Sequence, residues 1–132
     1  QPIMLRLRSD LVAHCLAALD EQLDRETTDW DARQAVGVVL AAGGYPGQYA
    51  KGDVIAGLSE TEAKDRKIFH AGTADRDGEV VTAGGRVLCA TALGDSVAEA
   101  QARAYALAAQ ISWNGMFYRH DIGYRAIARE QR

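Results

Sequence analysis

Apolar and polar positions change their period twice along the chain, and each change marks a new kind of element. From Leu11 the apolar residues Leu11, Val12, Cys15, Leu16, Leu19 and Leu23 recur at helical spacing. This predicts a helix with one buried face, capped by Ser9 and finished by about Asp24. Before it, Ile3-Met4-Leu5-Arg6-Leu7-Arg8 alternates and reads as a short strand or an extended lead-in. Residues 25–33 are polar, with Trp30 as an anchor.

The middle of the chain reads as β. Ala35 to Ala42 is a Val-rich run ended by Gly43-Gly44, and Tyr45-Pro46-Gly47 is a second turn. Asp53 to Ile55 and Lys67 to Ala71 read as short strands, with one helical turn expected across Ser59 to Ala63. Asp75-Arg76-Asp77-Gly78 reads as a hairpin loop from which Glu79 to Ala83 pairs back. Gly84-Gly85 turns again, and Arg86 to Leu93 is the last strand.

After Gly94 the helical period returns. Ser96-Val97-Ala98-Glu99 is a capping box. Val97, Ala100, Ala104, Leu107, Ala108 and Ile111 form one stripe, rich in alanine as close packing on a sheet requires. This helix is expected to reach about Trp113, before Asn114-Gly115, and a short helix is expected from Arg125. A helix, several strands and a helix make an α+β unit with an antiparallel sheet.

Composition narrows the function classes. The chain has 132 residues, enough for one domain or a small domain with a piece of another. Lys plus Arg is 15 against 18 Asp plus Glu, a formal charge of -3. A nucleic-acid partner is not expected from that balance. It leaves room for a small anion held by a few arginines. The apolar run Val36 to Gly44 falls far short of the roughly 20 residues that span a bilayer, so no membrane partner is expected. Cys15 and Cys89 lie far apart without CxxC spacing and read as buried free thiols in a reducing compartment. The chain opens Gln1-Pro2 without a Met and reads as a piece of a longer polypeptide.

The residues with chemistry are few. No GxSxG, HExxH, P-loop or spaced GxGxxG is present. His70 closes a predicted strand in Phe69-His70-Ala71-Gly72-Thr73. It can donate to an anion or a carbonyl, or it can serve as a strand-end His bonded to backbone. Arg86 follows Gly84-Gly85, where turn amides and a guanidinium can hold a phosphate. The alternative there is a solvated strand-end Arg. His14 reads as a surface or boundary residue, and His120 beside Asp121 is not a catalytic pair by adjacency alone. Asp20, Glu21, Asp24 and Glu26 read as a solvated helix end, and Arg119, Arg125, Arg129 and Arg132 as a solvated or packing tail.

Six stretches in register carry a resemblance. They are Gln1 to Leu7, Ala41 to Gly47, Gly52-Asp53-Val54-Ile55, Phe69 to Thr73, Gly84 to Leu88, and Arg119-His120-Asp121-Ile122-Gly123. Together they resemble the C-terminal part of the glycinamide ribonucleotide synthetase (phosphoribosylamine–glycine ligase) family, over essentially the whole chain. The resemblance implies a cytoplasmic purine-biosynthesis enzyme of the ATP-grasp superfamily. Such an enzyme joins glycine to 5-phosphoribosylamine with ATP and Mg²⁺ or Mn²⁺, through a glycyl acyl phosphate. It further implies that residues 1–30 end the ATP-grasp domain, as one strand and helix. Residues 31–132 would form the small C-terminal domain, a rudimentary hybrid-type antiparallel β motif with a packed helix. The metal ligands and nucleotide lid of the family lie upstream of Gln1. No catalytic residue, metal or cofactor is therefore expected on this chain, and it is expected to be inactive alone. Its implied partners are the remaining domains of the parent, with glycine and phosphoribosylamine as the parent's substrates. By analogy with related enzymes, Arg86, Gly85, His70, Thr73 and Gly72 would bind the ribose phosphate. Two other roles compete: a purely structural module closing the substrate site, and a biotin- or lipoate-type carrier. The carrier needs a Lys at a hairpin tip, and Asp75-Arg76-Asp77-Gly78 has none. An unpartnered first helix would favour self-association of the isolated piece.

Overall fold

The computed structural model describes residues 1–59 and 63–131. At its centre is an antiparallel sheet in the order β1-β5-β2, built from β1 (Gln34–Ala41), β5 (Arg86–Gly94) and β2 (Arg66–His70). Central β5 is buried along its length except at Arg86. Its register matches Val38 with Ala90 on one side and Ile68 with the same Ala90 on the other. A two-stranded ladder, β3 (Thr73–Arg76) with β4 (Glu79–Thr82), leaves the sheet after β2 and returns into β5. Asp77 and Gly78, both at positive φ, make the two-residue turn between them, as a primed hairpin turn requires.

Helix α3 (Val97–Ala108) packs across β1 and β5. Ala100, Ala104 and Ala108 are fully buried, so the alanine stripe brings the helix axis close to the strands. Val36, Val38, Leu40, Ile68, Ala90 and Ala92 complete this core. Ser96 Oγ accepts from Glu99 N–H at 3.1 Å, and Glu99 Oε2 accepts from Asp95 N–H at 2.7 Å. The capping box thus reaches one residue further back than its usual target. The helix ends at Ala108, short of the expected Trp113. Ile111 and Trp113 remain buried, however, because the chain continues under the core and Ser112 bridges Ala56. The tail then pairs with the outer side of β1, Ala41 and Phe117 exchanging both backbone hydrogen bonds at 2.9 and 3.0 Å. It closes in α4 (Tyr124–Glu130).

The opposite face of the sheet carries Gly37, Val39, Cys89 and Thr91, and α1 (Pro2–Arg6) lies against it. The alternating lead-in is therefore helical, with Pro2 at the first helical position, where its fixed φ suits the helix. Close contact needs Gly37: a Cβ there would lie 3.0 Å from Cys89 Sγ and 3.1 Å from Pro2 Cγ.

The first long helix departs most from expectation. α2 spans Leu11–Leu19, and Asp10 caps it, its Oδ1 accepting from Val12 N–H at 2.8 Å. Ser9 Oγ instead accepts from Asp29 N–H at 2.6 Å. Leu11, Val12, Cys15, Leu16, Leu19 and Leu23 are all exposed, and Ala17 alone in α2 is buried. The apolar stripe is real but has nothing within the described residues to cover it. Cys15 accordingly lies on the surface, while Cys89 is buried, with its thiol pKa pushed up by that burial. His14 is the inward residue of the helix: its side chain is 13% exposed and its ring nitrogens lack hydrogen-bond partners.

Asp31 ties this N-terminal segment to the sheet. Arg33 donates to it through Nε at 2.9 Å and Nη2 at 2.7 Å, and Arg8 donates at 3.1 Å. Arg6 donates twice to its carbonyl, at 3.1 and 3.0 Å. The strand expected at Asp53 to Ile55 is an extended run paired with β4: Val54 bridges Val81, Ile55 N–H donates to the Val80 carbonyl at 2.9 Å, and Thr82 N–H donates to the Asp53 carbonyl at 2.9 Å. The helical turn expected over 59–63 falls mostly outside the described residues.

Candidate functional site

The five residues singled out from sequence meet at one corner, where the chain leaves β2 and re-enters β5. Gly72 N–H donates to the Arg86 carbonyl at 2.9 Å. The Gly72 carbonyl in turn accepts from Ala83 N–H at 2.7 Å and Gly84 N–H at 3.1 Å. Two turns distant in sequence are thus stitched together by backbone alone. His70 Nδ1 and Thr73 Oγ1 share a 3.1 Å hydrogen bond across the first turn. The backbone-bonded alternative for His70 is therefore not what occurs at Nδ1.

The glycine turns do not form a cradle of free amides. Gly72 and Gly84 N–H are committed within the fold. Gly85 N–H makes no hydrogen bond to a described residue, while its carbonyl accepts from Ala42 N–H at 2.9 Å. Gly85 is buried beneath the Tyr45 and Tyr49 rings, where a Cβ would collide with Tyr45.

Arg86 is the open group at this corner. It is the exposed first residue of β5 and pairs with Ala41 across a bulge in the β1–β5 register. Its side chain makes no hydrogen bond or ion pair among the described residues. An exposed guanidinium held on a rigid strand with no acid of its own suits a phosphate or carboxylate.

Arg86 lines two cavities on the α1 side of the sheet. One, about 250 Å³, lies between Gln1, Ala71 and Cys89. The other, about 290 Å³, lies between β1 and the tail and is walled by Tyr45, Phe117 and Ile122. Arg119 also lines the second, its guanidinium donating to Asp121 at 2.8 and 2.6 Å. That pairing holds the Asp121 carboxyl below the usual carboxylate range, and it is Arg119, not His120, that partners Asp121. Tyr105 fixes the same loop by donating to the Arg119 carbonyl at 2.7 Å and accepting from Ile122 N–H at 3.0 Å. Nothing in the sequence marks Phe117 as a cavity wall, and Arg119, expected as part of a solvated or packing tail, lines the cavity. Their place is set by the backbone pairing of Phe117 with distant Ala41 and by Tyr105. A larger groove of about 490 Å³, lined by Pro2, Ile3, Arg6 and Trp30, has its one cation already donating to the Asp31 carbonyl.

Among the described residues no group of three His, Cys, Asp or Glu could hold a metal ion. No helix is long and apolar enough to cross a membrane among them.

The fold is an α+β domain whose antiparallel sheet ends at a backbone-stitched corner with Arg86 exposed. The family described as "Phosphoribosylglycinamide synthetase, C domain" matches residues 35–125, and the chain belongs to it. Relatives named "Phosphoribosylamine--glycine ligase" include one from Vibrio parahaemolyticus, 67% identical over 99% of this chain. Another, from Pseudomonas aeruginosa, is 66% identical over the same share. The chain spans 30% of the length of each. A crystal structure of phosphoribosylamine--glycine ligase from Thermotoga maritima superposes with a TM-score of 0.66 at 38% identity, covering 81% of this chain and 27% of that one.

Proposed function

We propose that this chain is the C-terminal domain of a ligase that joins glycine to 5-phosphoribosylamine with ATP. The products are glycinamide ribonucleotide, ADP and phosphate, in purine biosynthesis in the cytoplasm. The 67% identity across 99% of the chain to a relative named for that activity carries the reading. Residues 1–30 are the end of the ATP-grasp domain, and residues 31–132 are the C-terminal domain with its hybrid-type β motif. ATP and Mg²⁺ or Mn²⁺ belong to the rest of the ligase, whose domains are this chain's partners. The chain alone is inactive.

Within that ligase Arg86 holds the ribose 5-phosphate of phosphoribosylamine. Support comes from its exposure and from its lack of a side-chain partner among the described residues. His70 and Thr73 brace the turn next to it, and Gly72 sets the distance between the two strand ends. Once the phosphate is fixed, the amine is oriented toward the activated glycine carboxylate. The competing role is a wall of the site with no ligand contact. Its support is that Gly72 and Gly84 already spend their amides within the fold.

A protein carrying this domain at the length of its relatives should form glycinamide ribonucleotide from glycine, phosphoribosylamine and ATP. Crystals of it soaked with that product should show phosphate oxygens within hydrogen-bond reach of Arg86. A gap wider than one bridging water would assign the corner to the structural role.

A further inference from the structure

Arg86 stands between two cavities of unlike chemistry, and only one of them suits a sugar phosphate. The cavity beside Gln1 offers an amide side chain at its rim. The other is walled by Tyr45, Phe117 and Ile122, and its floor is the bare backbone of Gly37. Tyr118 and Arg119 also line it, but most of its surface is apolar, so ribose hydroxyls placed there would lose water for few partners, which is costly. A flat unsaturated ring loses nothing of the kind and gains stacking on Tyr45 and Phe117. Phe117 is 41% exposed and Val39 is 39% exposed, so this apolar surface is open to a ligand. The charged residues at its rim are Arg86 and Arg119, with no acid among the lining residues. Arg119 is braced by Asp121 and Tyr105, which fixes the outer wall in place.

We propose that the cavity between β1 and the 117–122 tail binds a phosphomonoester carrying a flat aromatic or heteroaromatic ring. The ring lies between Tyr45 and Phe117, and the phosphate takes the Arg86 guanidinium. Because Arg86 also borders the Gln1 cavity, such a ligand competes with the phosphoribosyl substrate for one cation. The site is then inhibitory. The competition rests on the substrate reading above; binding of the aromatic anion does not.

The test is calorimetric titration of the protein at its natural length with 1-naphthyl phosphate, ribose 5-phosphate and inorganic phosphate. The aromatic ester should bind at least tenfold more tightly than ribose 5-phosphate, and each should weaken the other. Phe117→Ala should remove the aromatic preference and leave ribose 5-phosphate binding unchanged. Phe117→Asp, which puts a charged carboxylate where the ring lies, should abolish naphthyl phosphate binding. Arg86→Ala should weaken both esters. Equal affinity for the two esters, or naphthyl phosphate binding indifferent to both Phe117 variants, would overturn the proposal. Ribose 5-phosphate binding that ignores Arg86→Ala, alongside naphthyl phosphate binding that depends on Phe117, would sink the substrate reading and leave the aromatic site standing.

Discussion

Gly72 and Gly84 cross with their backbones in direct contact, so that a Cβ on Gly72 would sit 2.6 Å from the Gly84 Cα. The same Cβ would approach the Arg86 carbonyl at 2.8 Å. Both neighbours are backbone and neither can swing aside. Gly72→Ala should therefore cost about 1–3 kcal/mol by overpacking. Thermal unfolding will show it as a lowered Tm. Weaker phosphate-ester binding should accompany it, since the displaced strand end is the one that carries Arg86.

Asp31 supplies a pH dependence of defined sign. The Arg33 guanidinium, the Arg33 backbone N–H and Arg8 hold its carboxyl well below the usual carboxylate range. Its unfolded value lies near the ordinary Asp figure of about 3.9. A depressed folded pKa adds stability that is fully present above about pH 4 and is lost as the pH falls toward the folded value. Asp31→Asn should be less stable than the parent chain at pH 7, with the difference shrinking between pH 4 and pH 2. Urea melts of both proteins across that range will measure it, and a constant difference would remove the role.

On the proposed function, Arg86→Ala in the protein at its natural length should raise the KM for phosphoribosylamine. Loss of one charge-assisted contact is worth about 1.5–3 kcal/mol, or roughly ten- to a hundredfold. The KM values for glycine and ATP should stay near those of the unaltered enzyme. Steady-state kinetics with each substrate varied in turn will separate these outcomes. An unchanged phosphoribosylamine KM would remove the phosphate role.

The isolated 132-residue chain should self-associate through its N-terminal helices. Val12 is 64% exposed, Leu16 56% and Leu19 80%, and Ile3 is 68% exposed nearby. Contiguous apolar surface of this kind is ordinarily covered. Light scattering over a concentration series should show a mass above that of the monomer, with Leu16→Glu and Leu19→Glu together reducing it. A monomer at high concentration would contradict the prediction.

Elements with a strong period were legible from sequence, and elements set by distant contacts were not. The alanine stripe of α3 and the Val-rich β1 announce both their type and their buried face. The five candidate residues also converge as a group, because glycine pairs mark where the strands turn. The N-terminal stretch was misread because alternation in Ile3 to Arg8 mimics a strand, while Pro2 and the nearby sheet face select a helix. For α2 the period correctly predicted the element, yet periodicity carries no information on whether a partner is present. The apolar cavity was illegible because Phe117 reaches it by pairing with Ala41, 76 positions back, and Arg119 is held there by the Tyr105 hydroxyl.

That pairing has a further consequence for how the protein behaves in a crowded solution. A three-stranded sheet has two flanks where a foreign strand can add, and each is a nucleus for aggregation. On the β1 flank, Phe117 already occupies the backbone groups of Ala41, and Gly123 lies near Val36. On the other flank β2 is five residues long and carries Arg66 and Lys67, a short cationic rim that a like copy would repel. The tail that walls the aromatic cavity therefore also serves as a guard strand.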